Sequence, residues 1–151
     1  MDSIITNRQR YQLTNKVKDR LIFAICLLCI FLFLYTAYAK LTDHSRFLNG
    51  LYHVELISRF AFYLSWFVPV AEGLVAVLLI IPRTVRLGLY SFLGLMSLFT
   101  VYIISMLLWA SKLPCHCGGV IEKLSWTQHV WFNFAFIALA VLALRLLKTK
   151  D

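Results

Sequence analysis

Residues 21–39 read LIFAICLLCIFLFLYTAYA, an apolar run without a charged side chain. A helix needs about 20 such residues to cross the hydrocarbon core of a bilayer. Three further runs have similar length: 60–81, which holds Glu72, 87–111, which is uncharged, and 126–144, which holds His129. The runs are continuous rather than alternating, and only helices and closed barrels satisfy the backbone in lipid, so helices are favoured over barrel strands. The sequence therefore predicts an all-α fold, an integral membrane bundle of four helices.

The composition indicates a single membrane domain. Hydrophobic residues make up 61% of the 151 residues, above the roughly 45–50% that is usual in soluble domains. The net charge of +8 does not indicate a nucleic-acid partner, because the basic residues flank the apolar runs and form no face of their own. We expect a basic N-terminal tail at 1–20, a transmembrane domain at 21–147 and a short tail at 148–151.

The distribution of lysine and arginine predicts the orientation in the membrane. Ten of these residues fall on one side of the predicted spans and five on the other. The first group is Arg8, Arg10, Lys16, Lys18, Arg20, Arg83, Arg86, Arg145, Lys148 and Lys150; the second is Lys40, Arg46, Arg59, Lys112 and Lys123. Basic residues concentrate in cytoplasmic segments, so both termini are expected in the cytoplasm. The four tryptophans, Trp66, Trp109, Trp126 and Trp131, lie toward the opposite interface, as in an aromatic belt.

The segment 43–59 between the first two spans has two interpretations. Phe47, Leu48, Leu51 and Val54 fall near helical spacing, which fits a short interfacial helix that caps the bundle. An ordinary solvated loop fits the segment equally well.

The end of the first span also resembles a signal-peptide cleavage site, with small residues at Ala37 and Ala39 around Tyr38. Cleavage there would leave three helices. We expect the helix to be retained, because the run 21–39 is long for the apolar region of such a peptide.

Residues 114–119 read PCHCGG and connect the third and fourth predicted helices. On the outer side, Cys115 and Cys117 would meet an oxidising compartment, and the flanking proline and glycines favour the turn that a disulfide needs. A bond across one intervening residue is strained and therefore labile rather than structural. A nearby imidazolium favours the reactive thiolate, so His116 and His129 are expected to tune the pair.

Three interpretations of this segment stay open. One is thiol–disulfide exchange. The second is a zinc or copper site, built from Cys115, Cys117, His116 and His129. The third is a surface pair without chemistry.

Cys26 and Cys29 form a second closely spaced pair, inside the first apolar run. No charged residue lies beside them to favour a thiolate. We expect them to be small packing residues of the bundle.

Glu72 is the only carboxylate well inside a predicted span. Such residues face the bundle interior and have a partner, and the candidates are Lys40, Arg59, Tyr102 and His129. A tether that fixes helix packing and a group that handles protons are equally good interpretations of Glu72. Asn133, four residues after His129 and on the same helix face, is expected to form an interhelical hydrogen bond.

From residue 35 to 144 the chain resembles the MauE/DoxX family of redox-associated membrane proteins. The resemblance rests on an ordered set of segments: Lys40-Leu41-Thr42-Asp43 with Phe47, Pro69-Val70-Ala71-Glu72-Gly73, Cys115-His116-Cys117-Gly118-Gly119, and Trp126 with His129 and Asn133. His116 and Gly118 replace a glycine and a phenylalanine that are usual in the family, and the thiol pair is kept.

The resemblance implies a four-helix bundle in the bacterial inner membrane, with its cysteines facing the periplasm. It also implies a role in thiol–disulfide exchange or in the maturation of periplasmic proteins, with Cys115 and Cys117 as the redox pair and Glu72 and Lys40 as supporting polar residues. A thioredoxin-like or client thiol protein is the expected partner, and quinone is a candidate electron acceptor.

The alternative is a non-catalytic scaffold or assembly factor, in which the cysteines bind metal or brace a loop. A small transporter dependent on Glu72 is a weaker third hypothesis.

Overall fold

The computed structural model describes residues 2–52, 55–109 and 126–149. These residues form helices and turns and contain no strand. The helices are α1 (Asp2–Thr42), α2 (His44–Tyr52), α3 (Glu55–Ser58), α4 (Ala61–Ile80), α5 (Val85–Trp109) and α6 (Trp126–Lys148). Four of them are long and apolar enough to cross a bilayer, over Asn15–Thr42, Ala61–Ile80, Val85–Ser105 and Thr127–Lys148. The prediction of an all-α bundle with four membrane-spanning helices is confirmed.

The four long helices form a closed ring. α1 packs against α4 and α6, and α5 packs against α4 and α6. Each connection reverses the chain, so neighbouring helices in sequence are antiparallel, as in an up-and-down bundle. We call the end where α1 meets α2 the α2 end. The opposite end, where α4 turns into α5 and α6 finishes, is the basic end.

The core of the bundle is built from small and aromatic side chains that the four long helices bury against one another. The rings of Phe33 on α1 and Phe92 on α5 lie 4.4 Å apart between centroids. Cys26 and Cys29 of α1 are both buried in this core and neither forms a disulfide, which agrees with their predicted role as packing residues. Large apolar side chains also cover the outside of the bundle, as expected for a surface that faces lipid chains.

α2 is a helix and packs against α4, so the first interpretation of 43–59 describes its beginning correctly. The backbone N–H of Asp43 donates to Ala39 at 3.1 Å and that of Phe47 donates to Asp43 at 3.1 Å, which carries the hydrogen bonding from α1 into α2. Gly50 and Leu51 of α2 are buried. α2 therefore packs against α4 close to the end of α1, near the polar residues described next.

Candidate functional site

An ion pair joins α1 and α4 inside the bundle. The ammonium of Lys40, in the last turn of α1, donates to Oε1 of Glu72 at 2.5 Å. Glu72 is completely buried and the Lys40 side chain is 17% exposed. Glu72 lies about 17 Å along α4 from Ala61, at 1.5 Å per residue. The lysine therefore reaches down from the end of its helix to a carboxylate near the middle of the neighbouring one.

The position of Glu72 on α4 explains why it needs this partner. It lies on the buried face of the helix together with Ser65 and Pro69, and an uncompensated charge in such surroundings costs several kcal/mol. Its second oxygen, Oε2, is also buried and has no hydrogen-bond partner among the described residues. The hydroxyl of Thr36, one turn before Lys40 on α1, donates to the carbonyl of Phe33 at 3.2 Å.

Two aromatic rings also contact the Lys40 ammonium. It lies 5.8 Å from the ring centroid of Phe47 on α2 and 5.3 Å from that of Phe99 on α5. Both distances are within the roughly 6 Å range of cation–π attraction. A single side chain from α1 thus holds α4 through its charge and α2 and α5 through their rings.

A second polar contact lies closer to the α2 end, between α2 and α4. Nε2 of His44, the first residue of α2, is 3.4 Å from Oγ of Ser65, and the His44 ring lies 4.6 Å from the ring of Trp66. Ser65 donates its own proton to the carbonyl of Phe62 at 2.6 Å. Its oxygen is then the acceptor for His44, which requires a proton on Nε2.

A buried hydrogen bond joins α5 and α6. The Asn133 side-chain amide donates to Oγ1 of Thr100 at 3.2 Å, and Thr100 donates to the carbonyl of Met96 at 2.7 Å. The interhelical hydrogen bond predicted for Asn133 is confirmed. His129 lies one turn before Asn133, is half-buried, and makes a contact of its own.

The family model described as methylamine utilisation protein MauE matches residues 18–146. The match covers most of the chain, including all of α4 and α5 and the greater part of α1 and α6. The chain belongs to the MauE family. No curated protein and no solved structure matches it.

In this MauE-family chain the structure brings together some of the predicted site residues. Lys40 and Glu72 form a direct pair, and of the four partners considered for Glu72 it is Lys40 that is bonded to it. Cys115, His116 and Cys117 lie outside the described residues. The helices that they connect, α5 and α6, end and begin at the α2 end of the bundle, because Phe99 reaches Lys40 there while Arg86 meets the other end of α6.

Sequence reasoning overlooked two polar residues of the MauE-family site, His44 and Ser65. Helical spacing could have found both. His44 follows Lys40 by four positions across the α1–α2 junction, so the two are expected on the same side of the helix. Ser65 precedes Glu72 by seven positions, which places these two on one face of α4.

Proposed function

We propose that this chain is an inner-membrane protein that takes part in thiol–disulfide exchange, or in the maturation of periplasmic proteins, through Cys115 and Cys117. The observation that carries this function is the position of the pair in the chain. Both cysteines lie in the sequence between α5 and α6, and the end of α5 and the start of α6 are both at the α2 end of the bundle, the end from which Lys40 reaches Glu72. Membership of the MauE family supports a membrane protein of this class.

The charge distribution supports a periplasmic position for this connection. At the basic end of the bundle, Lys18 donates to Thr149 and Arg86 donates to the carbonyl of Leu147, so basic residues of α1 and α5 lie beside the end of α6. Basic segments tend to stay in the cytoplasm, which favours an outer position for the α2 end, where α5 ends and α6 begins. There thiols meet an oxidising environment.

The exchange itself needs only the pair and a partner dithiol. With Cys115 and Cys117 joined as a disulfide, a thiolate of the partner attacks one of the two sulfurs and forms a mixed disulfide, which releases the other cysteine as a thiolate. The second thiol of the partner then resolves the mixed disulfide. Two electrons and two protons pass from the partner to the pair. His116 and His129 would favour the thiolate form of the leaving cysteine.

Lys40 and Glu72 act in this scheme as supporting residues rather than as reactants. Their ion pair ties α1 to α4, and the rings of Phe47 and Phe99 tie the same ammonium to α2 and α5. These contacts link four helices at the α2 end of the bundle. A labile disulfide needs such support, because its own bond constrains too short a loop to stabilise the fold.

Trapping of a mixed disulfide tests the exchange. Cys115→Ser and Cys117→Ser trap the reverse direction of the exchange, in which the remaining thiolate attacks the disulfide of an oxidised partner. The chain then has no second cysteine in the pair to resolve the mixed disulfide, so one of the two variants should accumulate a covalent complex with a periplasmic protein, seen as a reducible shift on a non-reducing gel. The matched control is Cys26→Ala with Cys29→Ala, which removes two thiols from the core and should leave trapping by the outer cysteine unchanged. If neither serine variant forms a complex, and the wild-type pair shows no redox-dependent shift, the exchange is wrong.

A further inference from the structure

Half of the Glu72 carboxyl group is left without a partner inside the bundle. Oε1 accepts from the ammonium of Lys40, whereas Oε2 is buried and has no hydrogen-bond partner among the described residues. The residue as a whole is 0% exposed. A buried polar atom without a partner is costly, and buried water is what commonly satisfies one. Oε2 therefore indicates a place where a small hydrogen-bond donor binds.

A second acceptor lies on the same face of α4. Pro69 has no backbone N–H, so the carbonyl of Ser65, four positions earlier, lacks its usual helical donor. Side chains on a helix point back toward its N-terminus, which directs the carboxyl group of Glu72 toward the turn that holds Pro69. Ser65, Pro69 and Glu72 are all buried on this face. Two oxygen acceptors directed at one turn need a donor between them, and water has two O–H groups to offer.

Polar groups continue from this turn to the α2 end of the bundle. Oγ of Ser65 lies 3.4 Å from Nε2 of His44. Nδ1 of His44 is a further buried atom without a hydrogen-bond partner in the described part of the chain. Lys40 reaches in from the last turn of α1 and keeps 17% of its side chain exposed. Hydrogen-bonding groups thus line the way from the α2 end to Glu72.

The other side of Glu72, toward the basic end, is apolar. There α4 buries Val75, Ala76 and Leu79, and they pack into the core that holds Cys29 and Phe92. The buried polar side chains of the described residues occupy helix positions from the middle of the bundle toward the α2 end; they are Ser65, Glu72, Thr100 and Asn133. Water is therefore expected to reach Glu72 from one end of the bundle only, because an apolar core gives it no partners.

We propose that water enters the bundle from the α2 end as far as Glu72, and that Glu72 binds and releases a proton in exchange with that side of the membrane only. A hydronium ion at the site transfers its proton to Oε2 and leaves a water molecule, to which the new O–H donates. The ion pair with Lys40 becomes a hydrogen bond. The positive charge that stays on Lys40 is stabilised by the rings of Phe47 and Phe99 and by its partial exposure. This function does not depend on the two cysteines of the α5–α6 segment.

Few other titratable groups lie around this site. α4 packs mainly against α1, α2 and α5, and among the described residues Lys40 is the only charged group bonded to Glu72. Asp43, at the junction of α1 and α2, is partly exposed and pairs with Arg46. The half-buried titratable side chains of these helices toward the α2 end, besides Lys40, are Tyr35, His44 and Tyr102. None of these three has a carboxyl group, so a carboxylic-acid signal cannot come from them.

Two cysteine substitutions on one face of α4 test the entry of water. Ser65 and Ala76 are both 0% exposed and lie on opposite sides of Glu72, about three turns apart. In full-length protein with Cys115→Ala and Cys117→Ala, Ser65→Cys should react with a small water-soluble methanethiosulfonate at least about tenfold faster than Ala76→Cys, because a hydrated thiol ionises and a buried one does not. The buried Cys26 and Cys29 stay in place as unreactive references. Equal rates at positions 65 and 76 would overturn the path.

Infrared difference spectroscopy of the reconstituted wild-type protein tests proton binding itself. As the pH is lowered, a carboxylic-acid C=O band should appear, shift on isotopic labelling of glutamate, and be absent in Glu72→Gln. The matched control is Glu55→Gln with Glu122→Gln, which removes the other two glutamates of the chain and should keep the band. Lack of the band in the wild type, or its loss in the control alone, would overturn the proposal. Because this measurement uses the wild-type chain, it decides the question even if Ser65→Cys does not fold.

Discussion

The ammonium of Lys40 and the carboxylate of Glu72 meet at 2.5 Å, although Lys40 lies in the last turn of α1 and Glu72 near the middle of α4. The pair is asymmetric. Glu72 is wholly enclosed, whereas Lys40 keeps 17% of its side chain accessible and contacts Phe47 and Phe99. The two residues should therefore differ in what their loss does to the bundle.

Removing Lys40 should destabilise the protein more than removing Glu72. Lys40→Met leaves a buried carboxylate without its counter-charge, which we expect to lower the free energy of unfolding by about 3–5 kcal/mol. Glu72→Leu leaves an ammonium on a long, partly accessible side chain that can turn toward the membrane surface, so its effect should be smaller. Denaturation in mixed micelles, followed by circular dichroism, measures both.

The double variant Lys40→Met with Glu72→Leu is the control for this ion pair. Replacing a whole buried pair by apolar residues is often close to neutral, so the double variant should be more stable than Lys40→Met alone. Additive losses would show that the two residues stabilise the bundle independently, which contradicts the pairing.

The sequence predicts the features of this site that belong to a single helix, but not the contacts between helices. Glu72 could be singled out because a carboxylate inside an apolar run is conspicuous, and its need for a partner follows from the physics of lipid. The choice of Lys40 over His129, Tyr102 or Arg59 depends on how the helices rotate and shift against one another. That is decided by side-chain packing across the bundle, which periodicity does not encode.

The ends of the helices differ from the predicted ones for a related reason. The apolar run 21–39 marks the part of α1 that suits lipid, but the helix extends from Asp2 to Thr42. Helical hydrogen bonding continues wherever good helix-forming residues follow, including charged ones, so hydrophobicity alone predicts the span and not the full element. The junction at Asp43 shows the same effect, since α2 continues the hydrogen bonding of α1 with a short break.

Substitution of Gly88 should separate packing from helix propensity. A Cβ atom at Gly88 would lie 3.0 Å from the backbone nitrogen of Leu79 and 3.1 Å from the carbonyl carbon of Leu78, so α5 approaches the backbone of α4 closely enough that any larger residue would be crowded. Gly88→Ala should lower the free energy of unfolding by about 1–3 kcal/mol, the usual range for overpacking.

Gly94 is the matched control for Gly88, because it lies in the same helix and a Cβ atom there meets nothing within 4 Å. Gly94→Ala should be neutral, or stabilising by up to about 1 kcal/mol through helix propensity. A similar loss of stability in both variants would mean that the α4–α5 contact is not the reason for glycine at position 88.

The hydrogen bond between Asn133 and Thr100 should make a modest contribution to stability. Asn133→Leu and Thr100→Val each remove one side of it, and a double-mutant cycle should give a coupling of about 0.6 kcal/mol, the average for such bonds in membrane bundles. Since Thr100 also donates to Met96, its single variant should cost at least as much as that of Asn133. A coupling near zero would contradict a direct bond.

Accessibility of the cysteines tests the compartment on which thiol exchange depends. After mild reduction of intact cells or spheroplasts, a membrane-impermeant maleimide should label Cys115 and Cys117, because the basic end is expected in the cytoplasm and the helices that flank the two cysteines in the sequence end and begin at the other end. Cys26 and Cys29 are buried in the bundle and should react only after the protein is denatured, so they report on intactness within the same molecule. Cys115→Ala with Cys117→Ala should abolish labelling under native conditions.

Labelling that appears only when the membrane is made permeable would place the pair on the cytoplasmic side, where glutathione and thioredoxin keep thiols reduced. The exchange proposed for the outer face would then have no oxidising compartment in which to act.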